Sequence, residues 1–359
     1  SISIMHPREL GGWSRFIVFI FMSFKMRFSY FLLACSLGCI IESSQAFQLS
    51  SLHVSPSQRQ LASCKKYTPT RHCRGGPVPV KATATAFDEA NKLPTYSRFG
   101  QVKVKGKSLS VPIGLMFMLG SFAWACLLFP IVLLAYAYSL LFDKLRRRAV
   151  DFFVALWAKG AMTCLLYWPK LEGRENLLPA NEACMYIPNH CSYLDIFTLS
   201  GSIPRNFKYV SKQEILSIPI IGWAMQMAGH IGIKRMDRKS QLQTFKETVD
   251  LLQNGNSVVT FAEGTRSRNG RLQEMKMGPI KMAKKAGVKI VPVSICNLYK
   301  WMPGSAATPL AFPRNVQVKV HPAIDPKDKD EKEILRYVFD SVNQGLPEHQ
   351  KTEKLVEQE

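Results

Sequence analysis

The chain has 359 residues, 47% apolar and 20% charged, which suits a folded protein with a sizeable core and excludes a wholly disordered or collagen-like one. Its formal charge of +21 asks for a polyanionic partner: nucleic acid, an anionic membrane face, a phosphorylated substrate or an acidic protein. The excess is uneven, because residues 1–87 hold ten Lys or Arg against two acids and residues 325–359 hold six against ten.

Residues 1–46 read as upstream sequence and a signal peptide. Arg27 supplies a basic start, Phe28 to Ile41 an apolar run, and Ser43 to Ala46 a small or polar cleavage region. The expectation is translation from Met26 or Met22 and cleavage after Ala46. Residues 47–95 read as a disordered, transit-peptide-like segment. From Ser43 to Phe87 there is no acid, with six Lys or Arg among many Ser, Thr and Pro. A signal peptide followed by such a segment resembles the two-part leaders of proteins sent to plastids of secondary endosymbiotic algae. That resemblance implies a plastid membrane, the envelope, with the endoplasmic reticulum membrane as the alternative.

Residues 96–170 read as membrane-anchoring helices. Val111 to Phe142 is 32 residues without a charge, longer as a helix than the ~30 Å hydrocarbon core. Pro130 lies inside it, so it is either one long span or two helices meeting near Phe129-Pro130. Lys144, Arg146, Arg147 and Arg148 follow, suited to anionic headgroups. Residues 149–169 read as a further apolar helix. The fold is thus expected to open with an N-terminal membrane helix or helical hairpin.

Residues 171–325 alternate short strands with helices, which predicts an α/β domain with a mixed, largely parallel sheet flanked by helices. The strand candidates are Ala183–Ile187, Phe207–Val210, His230–Lys234, Val258–Phe261, Ile290–Ile295 and Val316–Val320. The clearest helix runs from about Arg238 to Gln253, with Leu242, Phe245, Val249 and Leu252 on one face. Ser240 and Gln243 are its expected capping box and Gly255 its stop. Residues 326–359 read as a C-terminal helix and polar tail. Nine cysteines form no CxxC pair, so zinc-finger and thioredoxin-like readings lack support, and the five beyond the leader read as buried thiols.

Three constellations carry chemistry. In Pro188-Asn189-His190-Cys191-Ser192-Tyr193-Leu194-Asp195, a strand candidate ends directly at a His. If Asp195 opens the next helix, its carboxylate can fold back onto one ring nitrogen and leave the other free as a base. A substrate hydroxyl can then be the nucleophile. In Phe261-Ala262-Glu263-Gly264-Thr265-Arg266-Ser267, Arg266 can fork two donors onto a phosphate, unless it merely pairs with Glu263. In Gly229-His230-Ile231-Gly232-Ile233-Lys234-Arg235-Met236-Asp237-Arg238, cations gather at a helix N-terminus, itself an anion site, unless they form only a solvated loop.

In this order, NHxSxxD, KRMDR, EGTRS and Val291-Pro292-Val293 resemble the glycerolipid acyltransferases, above all the 1-acylglycerol-3-phosphate acyltransferases of the bacterial and plastid kind. The resemblance covers about residues 165–325. Ala262 departs from it, where Pro is common. The resemblance implies acyl transfer from acyl carrier protein or acyl-CoA to the sn-2 hydroxyl of lysophosphatidic acid, giving phosphatidic acid. His190 is the implied base and Asp195 its partner. Arg266, Arg238 and Lys234 are the implied phosphate cations. Glu263, Gly264, Thr265 and Ser267 line the implied acceptor pocket, with Asn189 and Ser192 as motif support. No metal or redox cofactor is implied. Membrane lipids are implied partners and nucleic acid is not, since no zinc-finger, RNP-like or helix-turn-helix pattern occurs. The alternatives are glycerol 3-phosphate or another lysophospholipid as acceptor, or a non-catalytic membrane lipid-binding protein.

Overall fold

The computed structural model describes residues 101–104 and 107–352. The leader expected over residues 1–95 and the end of the polar tail lie outside them. A short hairpin of β1 (Gln101–Val104) and β2 (Lys107–Ser110) leads into α1 (Val111–Phe142). Pro130 does not divide it: α1 is one unbroken helix, the only described one long and apolar enough to cross a membrane. Its buried residues are Gly114, Phe117, Ser121, Ala125, Leu128, Val132, Ala135 and Ser139, three or four apart along nearly its whole length. One stripe of α1 therefore lies along protein. The opposite stripe, with Leu115, Leu119, Leu127, Leu134 and Leu141, is exposed.

The stripe packs on α2 (Arg148–Cys164), the second apolar helix expected from the sequence. Two indoles lock the pair: Trp124 donates to the Leu156 carbonyl at 3.2 Å and Trp157 to that of Ser121 at 2.9 Å. Gly160 is required here, because a Cβ would collide with the Trp124 ring. The turn of this helical hairpin is fastened to the domain. Arg147 donates to the carbonyls of Gln226 and Met227, and Asn256 to that of Leu145.

The domain is built on β3 (Lys170–Glu172), β4 (Cys184–Pro188), β5 (Phe207–Lys212), β6 (Ile231–Ile233), β7 (Ser257–Val259), β8 (Lys289–Cys296) and β9 (Gln317–Val320). Their order is β3-β9-β8-β4-β7-β5-β6, parallel at every step except β8–β9. All six strands expected from the sequence are present, and the short β3 is an addition. The sheet divides the core by strand alternation. On one side Tyr186, Val291, Val293 and Ile295 pack with Phe117 of α1, Met162 of α2 and Leu199 of α3 (Asp195–Ser202). On the other, Met185, Ile187, Val258 and Ile290 meet α6 (Arg238–Gln253), α7 (Gly278–Ala286) and α8 (Glu331–Gly345). Two short helices, α4 (Gln213–Leu216) and α5 (Ile221–Ala228), lie between β5 and β6. The C-terminal helix α8 is thus core, with Ile334, Val338 and Val342 buried.

Two expectations for α6 are corrected. Its N-cap is Asp237, whose side chain accepts from the Lys239 N–H, not Ser240. Ser240 instead accepts from the Lys234 N–H and ties the preceding loop to the helix. Leu242 is 57% exposed, while Thr244 and Thr248 are buried with Val249 and Leu252. Those threonines are tolerated because Thr244 donates to the Gly232 carbonyl and Thr248 to that of Thr244.

Candidate active site

The carboxyl ends of β4, β6 and β7 carry the three constellations to one edge of the sheet, where ligands bind in open α/β folds. The peptide after β4 turns at Asn189, whose amide bridges to Ile295 of β8 in both directions, at 3.1 and 2.7 Å. Ser192 donates to the Met302 carbonyl and accepts from the Leu194 N–H, which shapes the start of α3. Asp195 is the first residue of α3, as the spacing required.

His190 Nδ1 lies 2.7 Å from Asp195 Oδ2, and the Asp195 residue is fully buried. The same oxygen accepts from the N–H groups of Cys191 and Ser192, at 2.8 and 2.9 Å. An oxygen facing three donor positions is an acceptor, so the proton belongs on Nδ1 and the lone pair on Nε2. The ring is stacked on Phe261, centroids 4.0 Å apart. Cys191 is no rival nucleophile. Burial, and then the Asp195 and Glu263 carboxylates, push its thiol well above its ordinary pKa.

Arg266 does not pair with Glu263. Its guanidinium lies over the Tyr193 ring, Cζ 3.2 Å from the centroid, and its buried Nη1 has no hydrogen-bond partner among the described residues. Arg235 shares its field. Burial, and next the charge of Arg266, hold the Arg235 guanidinium below its ordinary pKa, with Glu214 acting the other way. Their mutual repulsion favours an anion nearby. Lys234, Arg235 and Arg238 are all exposed. The resemblance names Lys234 and Arg238; Arg235, the third cation of that segment, also feels the charge of Arg266.

The remaining expected residues serve the loop. Gly264 has φ +73°, with the Lys276 Nζ over it at 3.1 Å from where a Cβ would stand. Thr265 is exposed. Ser267 donates to the Arg271 carbonyl at 2.7 Å. The Glu263 carboxyl is buried, and both its oxygens accept main-chain N–H groups, from His190 and Gln273. Burial pushes its pKa well above the carboxylate range against those two bonds.

The acyltransferase family model matches residues 169–296. A 1-acyl-sn-glycerol-3-phosphate acyltransferase of Chlamydomonas reinhardtii is 38% identical over 233 residues, 65% of this chain and 69% of that protein. The chain belongs to the 1-acyl-sn-glycerol-3-phosphate acyltransferase family. A chloroplastic member from Arabidopsis thaliana is 39% identical over 217 residues, so the chain spans 60% of that relative's length. The fold is that of the family too. The crystal structure of the acyltransferase PlsC from Thermotoga maritima superposes with a TM-score of 0.56 at 28% identity, covering 65% of this chain and 94% of that one.

The stacked pair of this family member gives a direct expectation. With Arg266 as the anchor of a phosphorylated acceptor, the reading proposed below, Tyr193→Ala should raise the Michaelis constant for that acceptor by roughly 2- to 30-fold, the scale of a cation–π contact, while Tyr193→Phe should leave it near wild type. Equal effects of the two would refute stacking as the cause.

Proposed function

We propose that the protein moves an acyl group from a thioester, carried by acyl carrier protein or coenzyme A, to the sn-2 hydroxyl of 1-acylglycerol 3-phosphate. The product is phosphatidic acid, made at a plastid membrane. The single observation that carries the reading is the buried His190–Asp195 pair opening α3 beside an arginine with an unpartnered donor. Family membership and the chloroplastic relative support the acceptor and the compartment.

In this reading the substrate phosphate sits on Arg266 and Arg235, with Lys234 and Arg238 adding outer positive field. The sn-2 hydroxyl then faces Nε2 of His190. As its oxygen attacks the thioester carbonyl, His190 takes the proton and Asp195 stabilises the resulting imidazolium. Collapse of the tetrahedral adduct breaks the carbon–sulfur bond. The thiolate leaves and receives the proton back from His190. The exposed apolar stripe of α1 seats the domain against the bilayer that holds the acceptor, with Lys144 and Arg148 near headgroups. The leader, residues 1–95, directs the protein to the plastid, and residues 171–325 form the transferase domain with α8 as its buttress.

A panel of lysophosphatidic acid, glycerol 3-phosphate and neutral lysophospholipids, assayed with acyl carrier protein and coenzyme A donors, tests this reading. Turnover confined to lysophosphatidic acid is expected; preference for glycerol 3-phosphate would replace the acceptor assignment. Arg266→Ala should raise the Michaelis constant for the phosphorylated acceptor by roughly 10- to 100-fold, the scale of one or two charged hydrogen bonds. An unchanged constant would remove Arg266 from the phosphate site.

A further inference from the structure

Glu263 stands in the turn after β7, three residues before Arg266, where family resemblance points to a place in the acceptor pocket. Its side chain faces elsewhere. The residue is 5% exposed, which leaves little surface for a ligand. Oε1 accepts the His190 N–H at 2.6 Å and Oε2 the Gln273 N–H at 3.2 Å. Four residues on, the Ser267 N–H donates to the His190 carbonyl at 2.8 Å. Both main-chain polar groups of His190 are therefore held by residues 263–267, and its ring rests on Phe261 at the head of the same turn. The segment that carries the anion-binding arginine is also the clamp on the base.

We infer that Glu263 is a positioning residue that acts on the reaction through the His190 main chain and makes no contact with the acceptor. The inference rests on the reading in which His190 is the base and Arg266 the phosphate anchor. The carboxylate then sets how far Nε2 stands from the phosphate site, and so which hydroxyl of a glycerol phosphate meets the base. A buried bond of 2.6 Å suits that task, because misplacement by about 1 Å can cost 10²-fold in rate. A residue that bound the acceptor would show itself in affinity. A residue that aims the base shows itself in turnover.

The test compares Glu263→Gln and Glu263→Asp with wild type and Arg266→Ala. The Gln amide turns an N–H2 toward a main-chain N–H. The Asp carboxyl keeps both oxygens but is one methylene too short to reach both donors, and it serves if the Gln variant does not fold. A 2-deoxy analogue of 1-acylglycerol 3-phosphate, which lacks the reacting hydroxyl, reports acceptor binding and counts competent sites. Expected for both Glu variants is a kcat per analogue-binding site lower by roughly 10- to 100-fold, with KM and analogue Kd within about twofold of wild type. A Kd raised as far as in Arg266→Ala, or a per-site kcat equal to wild type, would overturn the inference and leave the phosphate reading standing. If Arg266→Ala leaves KM and Kd unchanged, the underlying reading falls instead.

Discussion

Replacing His190 by Ala should lower acyl transfer by roughly 10²- to 10⁴-fold, the range that a positioned general base contributes. The size follows from the geometry. The ring is buried on Phe261, and its Nδ1 is held by a carboxylate that also receives two main-chain N–H groups. The tautomer is thereby set before substrate arrives, and no other described base lies within hydrogen-bond reach of Asp195. Sedimentation with vesicles should not change, because the exposed apolar stripe of α1 includes none of these residues. Turnover kept within tenfold of wild type, with vesicle binding intact, would remove the base assignment.

The second large effect concerns stability. Lys208 lies on β5 and is 1% exposed; its Nζ stands 2.6 Å from both oxygens of Asp151 on α2 and 2.7 Å from the Arg146 carbonyl. Burial lowers the ammonium's pKa and raises that of the carboxyl, each against the attraction of its partner. Lys208→Met would strand the carboxyl in the interior. The expected loss is about 3–5 kcal/mol, read from unfolding of the detergent-solubilised protein. Lys208→Met combined with Asp151→Leu should recover most of it, because an apolar pair of similar volume has no desolvation cost. Equal losses in the single and double variants would show that the pair is not what joins the helical hairpin to the sheet.

Much of the fold was legible because its signals are local. Short β-branched and aromatic runs marked six of the seven strands of the main sheet. β3 escaped because three residues, Lys170 to Glu172, with a charge at each end carry no pattern. The single antiparallel step at β8–β9 is likewise a matter of pairing partners, which periodicity does not encode. On α6 the rule that apolar residues face inward misassigned Leu242. It did so because Thr244 and Thr248 satisfy their hydroxyls within the fold and so compete for the buried face. Pro130 offered two readings of α1. The helix continues through it, and the packing of residues 114 to 139 along the hairpin favours that continuity.

By itself the sequence determined the chemical inventory: a strand-end His with an Asp five residues on, a Gly turn bearing Arg, a cluster of cations and a long apolar stretch. The His190–Asp195 bond was within its reach because it closes over one loop and the first residue of a helix. Only the tertiary structure decided what each remaining group faces. Glu263 meets the His190 main chain across 73 residues, Arg266 settles on a tyrosine of the other loop, and Arg235 feels its charge. Such contacts are made where strand ends converge at one sheet edge. Their partners are set by the order of strands in space, and that order is not written in any local run of residues.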